Sequence, residues 1–461
     1  MKLFRKGSSH RDLWRLAAPM MLSNVSIAFL GLVDTAVIGH LDDASYLAGI
    51  AIATVLFDFL YWGVTFLRMG TTGVVAQGRG ANDSVRIRST LRDALIIAGI
   101  IALTMLFFRR EILSVGLRIL NASAASNLHA GDYFEIKIWG APGILATMVF
   151  IGWLIGMHNA RSALVLAAVP CLLHATLDLL FVVKMSLGIP GAAYAALISA
   201  YFSAALGIWL IRRELARSGG QTKLPWRWQD VRQLLTLNWN IALRTWCLIA
   251  TFAFFTHQGA VQGDTILAAN AILLNFQLLT ALALDGFANA LEAQIGLSIG
   301  RSNWVQFRTA IKIATRWSVF FALVFAGLYG VFGTLLITLL TNIAEVRLVA
   351  GQYLIWAIVL PLVSVWCFVF DGIFIGATKG PEMRNSMIFS AFAVFLPAWY
   401  VLHPWGNHGL WLAFLLFFAA RGVSMGWYYT KIDWQRNFPN WQRANIDHPV
   451  KERARNGRLN H

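Results

Sequence analysis

Long apolar runs recur along the whole chain, divided by short polar or basic clusters. Most of the runs reach or exceed the roughly 20 residues that cross the hydrocarbon core of a bilayer as a helix. Twelve spans are predicted, near 15–40, 47–77, 90–108, 131–157, 163–184, 190–213, 234–257, 266–298, 310–340, 348–376, 385–403 and 408–430. Helices are the form that fits, because backbone in lipid must be satisfied within its own segment. Several runs exceed the minimum, so tilt or extension beyond the bilayer is expected. The predicted fold class is an all-α polytopic membrane protein.

Composition agrees. The 461 residues are 58% hydrophobic and 13% charged, against roughly 25% charged in soluble proteins, and mean hydropathy is +0.61. The N-terminus, MKLFRKGSSHRDLWRL, is basic and runs straight into the first span without a cleavage pattern. That predicts a start-transfer span rather than a removed signal.

A net charge of +16 would suggest nucleic acid in a soluble chain. Here its placement explains it. One side of the membrane collects Arg5, Lys6, Arg11 and Arg15, then Arg79, Arg86, Arg88 and Arg92, then the clusters at 212–232 and 301–316, Lys379, Arg384 and the tail. The other side carries Arg109, Arg110, Arg118, Lys137, Lys184 and Arg347. The basic side is expected to be cytoplasmic and to hold both termini. No nucleic-acid partner is expected, and membrane lipids are; the basic tail suits anionic headgroups. Cys171, Cys247 and Cys367 lie in apolar runs without metal or disulfide spacing, so no metal is expected.

The chain also repeats itself. LAGIAIATVLF from Leu47 resembles LAANAILLNFQ from Leu267, Gly80 matches Gly300, Pro142 falls near Pro361, and Gly156 matches Gly376. The offset stays near 220 residues, which predicts two six-helix halves. An even number of spans per half makes them parallel repeats about an axis along the membrane normal. The expected domains are a cytoplasmic N-terminus (1–14), an N-lobe (15–214), a linker (215–232), a C-lobe (233–431) and a basic cytoplasmic tail (432–461). Parallel halves suit alternating access around a site near the midplane.

LAAPMMLSN, GLVDTAVIGHL, VVAQGRGAND, ATLDLLFV and GIPGAAYAALIS resemble the multidrug and toxic compound extrusion (MATE) family, over residues 10–430. An Asp in span one with an Asp in span five points to its DinF branch. The resemblance implies a secondary antiporter of the bacterial inner membrane that exports organic, often cationic, small molecules in exchange for protons or sodium. No cofactor is expected beyond that coupling ion, and nothing requires more than a monomer.

Intramembrane polar residues give the candidate sites. A charged Asp in hydrocarbon costs about 2.5–3.5 kcal/mol on insertion scales, so it reads as functional by default. Asp34 and Asp178 each lie about six residues from the outer end of their spans, roughly 9–10 Å below the surface. Two carboxylates in one dry site cannot both ionise easily, so a pair would hold a proton. The alternative is two acids satisfied separately by backbone or Ser neighbours. His174 is one turn before Asp178 and either joins the relay or simply packs. The resemblance implies an Asn at position 174 and a Thr at 196 in a cation site; this chain has His174 and Ala196. Losing two oxygen ligands favours protons over sodium. Pro19 and Gly31 are the expected hinge positions of span one.

Asp371, Asp285 and Glu292, with Tyr61 and Trp62, are the candidate lining of a substrate cavity. Asp371 alternatively structures the DGIFIG bend. Arg68 and Arg244 are expected to neutralise acids. A lipid-linked precursor flippase of related architecture would want a more cationic cavity. An enzyme is not expected, because no HExxH, nucleophile elbow or Cys/His cluster occurs.

Overall fold

The computed structural model describes residues 9–38, 44–120, 124–219 and 226–434, without the side chains at 27–29, 31–38, 44–48, 120, 124–126 and 218. The described residues form sixteen α-helices. The N-lobe holds α1 (His10–Ile38), α2 (Ala44–Trp62), α3 (Phe66–Gly80), α4 (Ser84–Phe107), α5 (Arg109–Leu120), α6 (Ala124–Lys137), α7 (Ala141–Gly156), α8 (Ala160–Asp178) and α9 (Gly188–Ser218). The C-lobe holds α10 (Trp228–Val261), α11 (Asp264–Gly300), α12 (Trp304–Leu340), α13 (Ala344–Gly376), α14 (Gly380–Ile388), α15 (Leu396–Leu402) and α16 (Gly406–Lys431).

Nine helical stretches among the described residues are long and apolar enough to cross a membrane. The last, Gly380–Lys431, is two spans, because the chain doubles back at Gly406, whose φ is 59°. With α1 and α10 the total is twelve. The helices run further on the basic side than hydropathy predicts. α4 starts at Ser84 and α12 at Trp304, because Asp83 and Asn303 accept from Arg86 N–H and Gln306 N–H and fix polar first turns. Between the lobes, α9 runs to Ser218 and α10 begins at Trp228. The short polar helix α5 was not predicted, since a search for spans passes over an amphipathic segment.

The repeat is written into four turns on the basic face. Gly80, Gly156, Gly300 and Gly376 each end a helix. Two residues later Asn82, His158, Ser302 and Thr378 adopt φ of 55°, 54°, 51° and 56°. The next N–H closes the same bond in each: Asp83 to Gly78 O, Asn159 to Leu154 O, Asn303 to Ser298 O and Lys379 to Phe374 O, at 2.8–2.9 Å. This is the left-handed exit that caps a helix C-terminus.

Glycine pairs then set the packing within each lobe. A Cβ on Gly152 would lie 2.4 Å from Arg68 O, and one on Gly372 2.7 Å from Ala288 O. Gly156 likewise faces Thr72 O and Val75, as Gly376 faces Glu292 O and Ile295. Each contact in one lobe recurs in the other at the 220-residue offset. These are small-xxx-small seams, which let helix backbones approach closely in a membrane.

The lobes meet through the same device. A Cβ on Gly80 would lie 2.4 Å from Leu297 O, and one on Gly300 2.0 Å from Gln77 O, again a two-fold pair. Gln77 Nε2 donates to Gly376 O at 3.0 Å across this contact. One continuous apolar core, from Leu13, Leu16 and Val75 to Leu291, Ile295 and Phe307, therefore joins both lobes on the basic side. A second core, around Phe255, Phe276 and Trp411, belongs to the C-lobe alone. The molecule is closed at its basic face.

Candidate functional site

Two places hold the predicted intramembrane site residues that the structure brings together. The first is in the N-lobe, where α8 packs along α1 and α9. His174 Nε2 lies 3.4 Å from Asp178 Oδ2, and both side chains are buried. The i,i+4 spacing places them on one face, as expected. Asp178 is the last α-helical residue before a π-helical turn, Leu179–Lys184. Such turns widen a helix and occur often at functional sites. A second π-helical turn, Phe389–Phe395, lies in the corresponding span of the C-lobe. The residue at 196 is a buried alanine that brings no oxygen ligand. Asp34 and Gly31 lie within α1, but their side-chain environment is outside the described residues. Helix α1 is continuous through both Pro19 and Gly31 in this conformation.

The second is a cavity of about 190 Å³ between the lobes, on the far side of the glycine seam from the basic face. Three acids line it, Asp285, Glu292 and Asp371, and three arginines, Arg68, Arg244 and Arg421. Asp285 and Glu292 project from one face of α11, seven residues apart. Asp371 Oδ2 accepts from both Arg244 Nη2 and Arg421 Nη2, so this acid is held by a two-arginine clamp across α10, α13 and α16. Its other oxygen, and Glu292 Oε1, have no hydrogen-bond partner among the described residues. Arg68 Nη1 donates to Asn289 Oδ1 at 2.9 Å. Trp62, Phe252, Phe368 and Phe418 supply apolar wall.

Of the expected lining residues, Trp62, Asp285, Glu292 and Asp371 border this cavity and Tyr61 does not. Tyr61 stacks on Phe57 at 5.6 Å, and its hydroxyl is sealed inside the N-lobe. Adjacent helical residues point about 100° apart, so Tyr61 and Trp62 cannot share the opening. Arg244 pairs directly with an acid as expected; Arg68 acts on Asp285 and Glu292 through space while its Nη1 bonds the neutral amide of Asn289. Arg421 and Asn289 were missed. Arg421 carried a signal, being a lone cation inside LAFLLFFAARGVSMG, the same pattern that marks Asp34. Asn289 carried a weaker one, being polar but uncharged within its span.

Outside the spans, the turn at the basic face holds His158 half-buried. Its Nδ1 lies 3.2 Å from Gly156 O, and Nε2 is sealed without a partner among the described residues. Burial, reinforced by the neighbouring Arg79, pushes this imidazole down to about 3.

The MatE family profile matches residues 19–180 and 240–400. DNA damage-inducible protein F of Escherichia coli K12 is 40% identical over 439 residues, 94% of each chain. Multidrug resistance protein NorM of Vibrio cholerae is 23% identical, covering 92% of this chain and 96% of its own. A solved multidrug resistance MATE family transporter in an outward-facing conformation superposes with a TM-score of 0.83 at 20% identity, over 93% of this chain and 96% of that one.

Proposed function

We propose that this chain, which belongs to the MatE family of multidrug and toxic compound extrusion transporters, exports organic and often cationic compounds in exchange for protons. The observation that carries the coupling assignment is the buried His174–Asp178 pair at the start of a π-helical turn. An imidazole in place of an oxygen ligand suits a proton and removes one ligand from a sodium site, which wants several oxygens. Ala196 removes a second.

The positive-inside rule assigns the basic face to the cytoplasm, with both termini on that side, and the bacterial inner membrane is the natural location. The glycine seam then closes the cytoplasmic end, and the cavity belongs to the outward branch of an alternating-access cycle. A proton entering from outside neutralises the Asp34/Asp178/His174 group, α1 rearranges, and the cavity loses its affinity for a cation. Linkage requires the converse: bound substrate weakens the proton by the same factor. A lipid-linked precursor flippase gains nothing from this cavity, whose three arginines are matched by three acids.

The test is export of a fluorescent cation from proteoliposomes under a pH gradient alone or a sodium gradient alone. The wild type is expected to respond to pH. Asp34→Asn and Asp178→Asn are expected to lose that response while still binding the dye. Wild-type export by Asp34→Asn, or export driven by sodium alone, overturns the proton assignment.

A further inference from the structure

A separate cavity, of about 370 Å³, opens at the basic face where α10 meets α3 and the turn into α14. Gln229, Arg232, Gln233, Thr236 and Asn240 border it from the first turns of α10. Thr378 and Pro381 border it from the turn, and Val74 from α3. Arg232 is the charged group of this lining. Among the described residues, no carboxylate lies within salt-bridge distance of it. Asn240 is 3% exposed. Its Nδ2 donates to Thr236 O at 2.7 Å, while its Oδ1 has no hydrogen-bond partner among the described residues. A buried amide oxygen is costly to leave unpaired, so a ligand that donates to it gains. A smaller recess beyond Val74 and Gln233 does not offset Arg232: Arg86 and Asp230 border it together, and Asp93 is held by Arg92 at 2.8 Å.

The neighbouring face of α10 is apolar and open. Trp228, Leu235, Trp239 and Trp246 are all exposed. At about 100° per residue they fall on one stripe, roughly a quarter-turn around the helix from the cavity residues. Trp239 and Trp246 meet edge-on, with ring centroids 5.7 Å apart. Exposed tryptophans of this kind mark the membrane–water interface. The cavity therefore sits at headgroup depth, beside a surface suited to acyl chains.

We infer that this cavity binds the headgroup of an anionic glycerophospholipid of the phosphatidylglycerol type. The phosphate meets the guanidinium of Arg232 and the side-chain donors of Gln229, Gln233 and Thr236, and a headgroup hydroxyl donates to Asn240 Oδ1. An ethanolamine headgroup fits less well, because no carboxylate borders the cavity to receive its ammonium. A free phosphate ester makes no use of the tryptophan stripe. Val74 belongs to the N-lobe and the remaining lining to the C-lobe, so the seated headgroup spans the closed face. The assignment depends on neither the coupling ion nor the cargo, and failure of proton coupling leaves it unchanged.

The test is native mass spectrometry of the purified, delipidated full chain, titrated at fixed pH with dioctanoyl phosphatidylglycerol or dioctanoyl phosphatidylethanolamine. Wild type is expected to take one phosphatidylglycerol about 10-fold more tightly than phosphatidylethanolamine. Arg232→Gln is expected to weaken phosphatidylglycerol by about 10-fold, the worth of one charge-assisted hydrogen bond, and to leave phosphatidylethanolamine within about twofold. Arg227→Gln removes an exposed cation at the same helix start, outside the cavity lining, and is expected to change neither. Asn240→Asp places a negative charge beside the phosphate and is expected to reverse the preference toward the ammonium lipid. Retained phosphatidylethanolamine binding shows that each variant is folded. If Asn240→Asp does not fold, Arg232→Gln, a change at an exposed position, decides. Equal losses in Arg232→Gln and Arg227→Gln, or no preference for phosphatidylglycerol in wild type, overturn the site. Displacement of the lipid by free glycerol phosphate at the same concentration overturns the membrane as the source of the phosphate.

Discussion

Gly300→Ala is the most informative perturbation of the closed basic face. The added methyl carbon would sit 2.0 Å from Gln77 O and 2.9 Å from Ala81 N. Both are backbone atoms, so no side chain rotates to make room; the two helices must separate by roughly 1 Å or more to restore contact distance. Overpacking of this kind costs about 1–3 kcal/mol. The cost falls only on the conformation in which α3 and α11 touch, because in a state open at this face the position 300 side chain meets no partner from the other lobe. At about 2 kcal/mol the equilibrium between closed and open moves about 30-fold. Spin labels on the exposed residues Arg161 and Val305, one in each lobe, report the separation directly. The expected result is a new, longer distance in Gly300→Ala. It should be absent in Gly99→Ala and Gly327→Ala, where a Cβ meets nothing within 4 Å. Gradient-driven export should slow in the same variant. A distance distribution identical to wild type, with normal export, would refute the seam as the closing element.

Asp371→Asn leaves two arginines facing each other in a buried clamp and is expected to destabilise the protein by about 3–5 kcal/mol. The double variant Asp371→Asn/Arg421→Gln should recover part of that loss, and thermal unfolding followed by tryptophan fluorescence checks both. His158 gives a pH signature. The folded imidazole protonates only near 3, whereas an unfolded one protonates near 6.5. The unfolded state therefore binds the extra proton as pH falls. Stability is intact above about 6.5 and is lost progressively below it, by about 2 kcal/mol at pH 5. His158→Asn keeps a residue that tolerates positive φ and should flatten the slope relative to wild type; equal slopes would count against a sealed neutral imidazole.

The span pattern was legible because lipid leaves the backbone few options, so twelve apolar runs map onto twelve helical spans within a few residues. The repeat was legible for a related reason. Gly80, Gly156, Gly300 and Gly376 are constrained by close backbone approach, which admits almost no other side chain. The clamp on Asp371 was not legible. Arg244, Asp371 and Arg421 are separated by more than a hundred and by fifty residues, and no periodicity links α10, α13 and α16. Tyr61 and Trp62 show the same limit in miniature. Neighbours in sequence, they face different interiors, and only the rotation of α2 about its axis decides which meets the cavity.

The symmetry of the scaffold makes its asymmetry informative. The contacts of Gly80, Gly152 and Gly156 with a backbone carbonyl recur at Gly300, Gly372 and Gly376, an offset of 220 residues. None of the cavity charges does: at that offset Arg68 corresponds to Ala288, Asp285 to Thr65, Glu292 to Thr72, Asp371 to Ile151, Arg244 to Asn24 and Arg421 to Tyr201. Asp34 and Asp178 correspond to Phe254 and Ala398. A packing role would have been open to both copies, since both carry the same seams. Charges kept in only one copy of a duplicated frame, at the cost of burying them in a membrane, are better explained by work that the two lobes divide between them. In the function proposed above, the N-lobe acids and histidine take the proton, and the cavity, bordered by Arg68 from across the interface, takes the cargo. It follows that exchanging the charged residues of one lobe for their counterparts in the other should leave the fold standing and abolish transport.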